Sequence, residues 1–521
     1  MRNIGPVKKG DEVSNAPPSF IKNILSNWGA YGINIIVAFF LSPFVVHNLG
    51  DMNYGLWAFI GSVTGYMGLL DMGIRSAVTR YVAEYNAKRD VAGINRLCST
   101  AIAFYIVAGL IAISIGYSVA GFLPSIIKGL DVASEEPRQA VIIVCGEIAF
   151  ILAFNVFGGI IIGLQRFDIS RGISIFVTII RTVVIVLVLR GGFGIVGLAV
   201  ASFGSTVFGY ALQAVAAFWL VEGLSLSPSF VNRVHLRCLF GFGMTSFIIH
   251  IARKIIYYTD STVIGVFGSA SQITYFVIAG NLVEYTGELL SSISVILFPM
   301  ASDLYARQDH DGVKRALVNG TRLAMAIAIP IYFTFLLMGR EFIDLWMGKR
   351  FGSASSTVLA ILTVGQLMTL TQINTGSILA GMYKHRFIAS CMIAEAVANL
   401  GLSIVLIRYY GIYGVALGTV IPIFVTNLII IPRYVSRIIG IGQVEFFKQT
   451  FLWAFRNGMV FLVPLFLYAR IFPLDSWGRF AFAIFGSLAV YIVFLYSVAI
   501  TPQERAMLQS YFVKRGKPLA R

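Results

Sequence analysis

Apolar residues in this chain neither alternate nor recur once per helical turn. They gather in nearly unbroken runs of about 18–25 residues, such as 102–119, 140–164 and 481–500, long enough as helices to cross about 30 Å of hydrocarbon. Short polar links separate the runs. The pattern predicts an all-α membrane protein with spans near 24–47, 53–73, 97–121, 138–164, 168–190, 193–221, 237–267, 271–298, 316–338, 354–380, 387–408, 411–432, 453–472 and 479–500. That is about fourteen transmembrane helices. The first run is longer than a signal-peptide core and no small-residue cleavage pattern follows it, so it reads as a retained helix.

The chain also repeats itself at a spacing of about 217 residues. Gly194-Ile195-Val196-Gly197-Leu198-Ala199 matches Gly411-Ile412-Tyr413-Gly414-Val415-Ala416. Before them, Gly163-Leu164-Gln165-Arg166-Phe167 corresponds to Gly381-Met382-Tyr383-Lys384-His385-Arg386-Phe387, and the link 85–97 resembles 305–317. The expected organisation is a cytoplasmic tail (1–22), an N-lobe of six helices (23–222), a C-lobe of six (236–435), two further helices (450–500) and a second cytoplasmic tail (501–521). An even number of spans per repeat gives both lobes the same orientation, so the expected relation is a pseudo-twofold axis along the membrane normal. A central cavity opening to either face by rocking is the transport reading; a channel or scaffold is the plain alternative.

Composition agrees with the pattern: 57% of residues are hydrophobic and 12% charged, against about 25% charged in a soluble protein. The net charge of +16 raises the question of nucleic acid. With the N-terminus inside, however, about 28 Lys/Arg fall on the cytoplasmic side and about 9 outside, the asymmetry that orients membrane helices. The excess is a topology signal that places both termini in the cytoplasm and basic links against anionic membrane lipids, with no nucleic-acid partner required. Cys98, Cys145, Cys238 and Cys391 lie in or beside spans without a CxxC pair and read as small apolar residues, not as a disulfide framework or a metal site.

Charges inside the spans are the informative exception, because each costs about 2.5–3.5 kcal/mol at the bilayer centre and several left unpaired would exceed a whole domain's stability. The seventh span carries His250, Arg253, Lys254 and Tyr257 on one helix face, with Asp260 a turn further on; the eighth carries Asn281, Glu284, Glu288 and Ser291 on one face. Arg181 sits in the fifth span, Glu147 in the fourth and Glu395 in the eleventh. These groups must face one another or water. On the functional reading Arg181, Arg253 and Lys254, with His250 and Tyr257, make a cationic lumen for an anionic head group, since a guanidinium donates two parallel hydrogen bonds to phosphate. Glu147, Asp260, Glu284, Glu288 and Glu395 are candidates for coupling or gating through H+ or Na+. On the plain reading Arg181 pairs with Glu147, Lys254 or Arg253 with Glu284 or Glu288, Asp71 with Arg75 four residues on, and His250 is a helix-contact residue. Pro43, Pro299, Pro330, Pro422 and Pro464 mark possible kinks.

Leu49-Gly50-Asp51-Met52-Asn53-Tyr54-Gly55-Leu56-Trp57, followed by Leu69-Leu70-Asp71-Met72-Gly73-Ile74, resembles the opening of the Wzx-type polysaccharide and O-antigen flippases of the multidrug/oligosaccharidyl-lipid/polysaccharide (MOP) exporter superfamily. The twofold repeat extends the resemblance over residues 20–500. The resemblance implies a MATE-like fold in a bacterial inner membrane, no cofactor, and undecaprenyl-pyrophosphate-linked oligosaccharide as cargo moved from the cytoplasmic to the periplasmic leaflet, with a polysaccharide polymerase as a possible partner. It carries over a cationic lumen as an idea, without a residue map. The rivals are a drug or cation antiporter of the same fold, which would favour acidic groups, and a membrane polymerase or glycosyltransferase. For the latter, the external links 122–137 and 339–353 are too short to fold alone and hold no DxD pair.

Overall fold

The computed structural model describes residues 18–127, 135–382, 384 and 386–499; the side chains of 18–31, 126, 242–246, 248–250, 252–253, 292–293 and 295–296 are outside the description. The described residues are helical almost throughout. In chain order the helices are α1 (Pro18–Met67), α2 (Ile74–Ala87), α3 (Val91–Ile126), α4 (Glu136–Gly163), α5 (Phe167–Arg190), α6 (Gly194–Leu220), α7 (Arg233–Phe267), α8 (Ala270–Ala306) and α9 (His310–Trp346). They continue with α10 (Lys349–Leu370), α11 (Thr375–Gly381), α12 (Arg386–Tyr410), α13 (Ile412–Val425), α14 (Ile431–Ile439), α15 (Gln443–Phe447), α16 (Trp453–Ile471) and α17 (Trp477–Phe494). α1 begins inside the expected tail, and Pro18 suits a first helical position because the N–H it lacks would find no partner there.

Eleven helical stretches among the described residues are long and apolar enough to cross a membrane. The expected first two spans share one of them, because α1 runs through both and is interrupted only at Gly50, whose φ of 76° a side chain would resist. The expected seventh and eighth spans coincide with α7 and α8, which are absent from the eleven. Both helices contain side chains outside the description, and the eleven stretches are drawn from described residues only. Eleven therefore leaves the number fourteen an expectation.

The breaks are not at the prolines. Pro43 lies in continuous helix while α1 turns at Gly50, and α9 departs from helical geometry at Met338, eight residues beyond Pro330. The expected tenth span is split into α10 and α11 by the turn at Thr371–Asn374. Pro422 is the exception, followed within a turn by a π-helical stretch, Thr426–Ile430, of the kind that marks altered helix register.

Among the described residues the helices sort into two units: 18–48, 67–122 and 135–247; and 49–66, 123–127 and 248–499. In the first, α4 packs on α6, α5 on α6 and α2 on α4. Glycines set the α2–α4 approach. A Cβ on Gly159 would lie 3.0 Å from Val78 Cγ1, and one on Gly163 2.8 Å from the Thr79 carbonyl oxygen. Small residues permit such contact where lipid supplies no hydrophobic drive for helix pairing. In the second unit α12 packs on α13, α9 and α8 on α10, and α16 on α17 and α9. Cys98, Cys145 and Cys391 are buried as small side chains. Many large apolar side chains point outward, among them Phe40, Leu110, Leu187 and Phe485. Buried positions hold Glu147, Asn155, Asn374 and Asn399. Apolar outside with polar groups within is the arrangement a lipid solvent selects.

The sequence repeat is visible in the backbone. Gly194 and Gly411 both have φ of 57°, at the openings of α6 and α13. In the matched links, Arg89 (φ 57°) and Gln308 (φ 59°) are left-handed, and each precedes an aspartate. Asp90 accepts a hydrogen bond from the Gly93 N–H at 2.8 Å, and Asp309 from the Gly312 N–H at 2.7 Å. Each aspartate thereby caps the start of the next helix.

Candidate functional site

Each unit holds a polar seam between apolar helices. In the first it follows Ser202, Thr206, Tyr210 and Gln213, which share one face of α6 at i, i+4, i+8 and i+11. On α4, Glu147, Asn155 and Gly158 repeat the same offsets. At one end Arg181 of α5 donates from Nη2 to Ser202 Oγ. Thr206 Oγ1 then donates to Glu147 Oε1 at 2.6 Å. Arg181 and Glu147 thus each have a hydroxyl partner, and among the described residues they form no ion pair. The plain reading of that pair is corrected: α6 supplies a hydroxyl to each charge.

Toward the other end, Tyr105 Oη donates to Asp71 Oδ1 at 2.5 Å and Asn155 Nδ2 to the same oxygen at 3.4 Å. The expected Asp71–Arg75 salt bridge is absent among the described residues. Met72 (φ 48°) and Gly73 (φ 73°) are both left-handed, so the two side chains do not share a helix and the i,i+4 geometry does not arise.

The second unit gathers most of the other candidates. Residues 49–66 of α1 run against α7. Ser62 Oγ and Thr262 Oγ1 are 3.1 Å apart, Tyr66 Oη and Thr259 Oγ1 3.3 Å, and Phe59 lies against Gly265. Lys254 Nζ donates to the Gly65 carbonyl at 2.7 Å and sits 5.3 Å from the Tyr258 ring centre. Tyr257, half exposed, faces Glu284, with Glu288 one turn along α8. The side chains of His250 and Arg253 are outside the described residues.

Asp260 belongs to a second group. The Thr419 hydroxyl lies 3.0 Å from each oxygen of its carboxylate, and Asn399 Nδ2 donates to Thr419 Oγ1 at 2.8 Å. Asn399 Oδ1 is buried with no hydrogen-bond partner among the described residues. A turn before Asn399 on α12, Glu395 Oε2 accepts from Thr426 Oγ1 at 2.7 Å. A carboxylate, a hydroxyl and an unfilled amide oxygen are the hard ligands a small cation prefers, and the same carboxylate suits a proton. Sequence reading singled out Asp260 and missed Asn399 and Thr419, since one neutral polar residue in an apolar run gives no signal of its partner.

Residues 49–356, more than half of the chain, match a protein family described as polysaccharide biosynthesis protein. The chain belongs to that family. Among curated relatives, a probable low-salt glycan biosynthesis flippase of Haloferax volcanii is 24% identical over 53% of this chain, which spans 58% of that relative's length. A putative O-antigen transporter of Shigella flexneri is 20% identical over 79% of this chain and 97% of its own. Among solved structures, the lipid II flippase MurJ in an inward closed conformation aligns with a TM-score of 0.72 at 14% identity, covering 91% of this chain and 98% of MurJ. An inward-facing MATE transporter of the MOP superfamily aligns with a TM-score of 0.64 at 15% identity, covering 82% and 94%. These likenesses establish the MOP fold. The family member described here is a multi-pass helical membrane protein, and the relatives named above are transporters and flippases, not enzymes.

Proposed function

We propose that the protein is a flippase that moves lipid-linked oligosaccharide across the membrane for polysaccharide export, with undecaprenyl-pyrophosphate-linked repeat units as cargo. Membership of the polysaccharide biosynthesis family, on a fold shared with a lipid II flippase, carries this reading. The cargo travels from the cytoplasmic to the periplasmic leaflet of a bacterial inner membrane, with both termini in the cytoplasm and a polysaccharide polymerase receiving it. Alternating access between an N-lobe (23–222) and a C-lobe (236–435) supplies the path.

The physics suits this cargo. A pyrophosphate diester carries about two negative charges, and an inside-negative potential favours its outward movement by roughly 4–5 kcal/mol per 100 mV. Cationic groups such as Arg181, Lys254 and Arg253 offset the charge on the way. Asp260, with Thr419 and the open Asn399 oxygen, couples the cycle to Na+ or H+. That acidic group also favours a second reading, a drug or cation antiporter, which a deletion strain separates through drug susceptibility.

The test is complementation of a flippase-null strain. Surface polysaccharide is restored and lipid-linked sugar no longer accumulates on the cytoplasmic leaflet. Accumulation that persists with the chain present in the membrane overturns the proposal.

A further inference from the structure

Arg75 opens α2 immediately after the left-handed turn at Met72 and Gly73, and it is exposed. Because that turn removes it from Asp71, its guanidinium has no hydrogen bond or ion pair among the described residues. Asp71 is occupied elsewhere by Tyr105 and Asn155. The guanidinium is nonetheless aimed inward. The Cβ that Gly158 lacks would lie 3.3 Å from Arg75 Nη2 and 2.7 Å from Gln213 Oε1, so both groups converge on a space that any side chain at 158 would fill.

Two buried acceptors nearby are unfilled. Gln213 Oε1 and Asn155 Oδ1 have no hydrogen-bond partner among the described residues. Asn155 is 7% exposed, so water does not readily serve it. Leaving such oxygens bare is costly, and a site that keeps them bare is waiting for donors. The arrangement therefore offers an anion a guanidinium and a hydroxyl group an amide oxygen beside Gly158, with a second unfilled amide oxygen on Asn155, three residues back along α4.

We infer that Arg75, Gln213 and Asn155, grouped around Gly158 in the first unit, form a binding site for a phosphate ester bearing hydroxyls: the junction between phosphate and the first sugar of a glycolipid. Arg75 takes the phosphate oxygens in its fork. Gln213 and Asn155 accept from sugar hydroxyls, while Asp71 and Tyr105 hold Asn155 in place. This rests on the flippase reading and deepens it by naming where the head group is held. The same chemistry occurs in a glycerol phospholipid head group, so the test separates the two sources.

The full-length protein is placed in nanodiscs of phosphatidylcholine, and binding of three probes is measured: undecaprenyl-pyrophosphate-linked N-acetylglucosamine, undecaprenyl phosphate and phosphatidylglycerol. Arg75→Gln weakens both polyprenyl probes by about tenfold or more, the loss of a charge-assisted hydrogen-bonded contact. Gln213→Leu weakens the sugar-bearing probe and leaves undecaprenyl phosphate unchanged. Gly158→Ala, whose methyl meets only the tips of Gln213 and Arg75 there, reports on the same space without removing a polar group. Melting temperatures confirm that each variant is folded.

Wild-type affinity for the sugar-bearing probe with variants equal to wild type overturns this site and leaves the flippase reading standing. Phosphatidylglycerol binding as tightly as the sugar-bearing probe, with the same loss in Arg75→Gln, shows a phospholipid site and overturns the glycolipid assignment. Absence of wild-type binding to any polyprenyl probe overturns both.

Discussion

Asp260 carries a carboxylate into a helix interior where the nearest described donor is a single threonine hydroxyl, 3.0 Å from each oxygen. One hydroxyl cannot balance a full charge in a membrane, and Asn399 leaves an oxygen free beside it. If a cation completes this group, Asp260→Asn preserves the shape and removes the attraction. Transport into proteoliposomes then loses its dependence on the Na+ or H+ gradient while the protein still folds and inserts. A variant whose rate tracks the ion gradient as wild type does would exclude Asp260 from coupling. The sequence made Asp260 conspicuous because a charge in an apolar run carries its cost with it. Thr419 lies 159 residues away and looks ordinary in its own helix, so only the fold discloses the pair. Asp71 and Arg75 err in the opposite sense. Their spacing implies a helical salt bridge, and two left-handed residues between them remove the helix.

Element-scale organisation was more legible, because span length and hydrophobic continuity are set by the thickness of the lipid. All the expected spans lie on helical stretches, whereas their interruptions were sought at prolines and occur chiefly at Gly50, Met338 and Thr371–Asn374. A membrane helix accommodates proline when nearby groups satisfy the freed carbonyl, so proline alone does not locate a bend. Gly50 does so by its φ, and it brings residues 49–66 into the second unit. There the Asp51 backbone carbonyl accepts from Thr274 Oγ1 at 2.5 Å, and its carboxylate meets Arg350 Nη2 at 2.5 Å. Gly55 lies so close to the Ala270 carbonyl that a Cβ would collide with backbone. Backbone cannot step aside as a side-chain tip can. Gly55→Ala is therefore expected to destabilise the protein by about 1–3 kcal/mol, as overpacking does, and to lower its melting temperature in detergent. Gly61→Ala, one helix turn and a half away with nothing near its Cβ position, serves as the control and melts as wild type. Equal melting of both variants would show that the 49–66 segment does not pack as described.

Across the molecule, matching positions of the sequence repeat meet opposite charges. Ser202 and Thr419 occupy matching places in the repeat, 217 residues apart, and each is hydrogen-bonded to an intramembrane charge. In the first unit that charge is the cation Arg181; in the second it is the anion Asp260. The two charges come from different elements, Arg181 from α5, which precedes α6 as α12 precedes α13, and Asp260 from α7. On the proposed flippase reading, Arg181 would offset a doubly negative head group and Asp260 would bind the ion that drives the return. The electrical consequence can be measured. If the cargo moves with uncompensated negative charge, an imposed inside-negative diffusion potential accelerates flipping of a fluorescent polyprenyl-pyrophosphate sugar from the inner leaflet of proteoliposomes, by severalfold across 100 mV. Removing the positive charge at Arg181 with Arg181→Gln makes the loaded protein more negative. Its flipping is slower at zero potential and rises more steeply with voltage than that of wild type. Rates independent of potential in wild type would mean that cargo and protein cross as a neutral pair, and the membrane potential would then have no part in driving export.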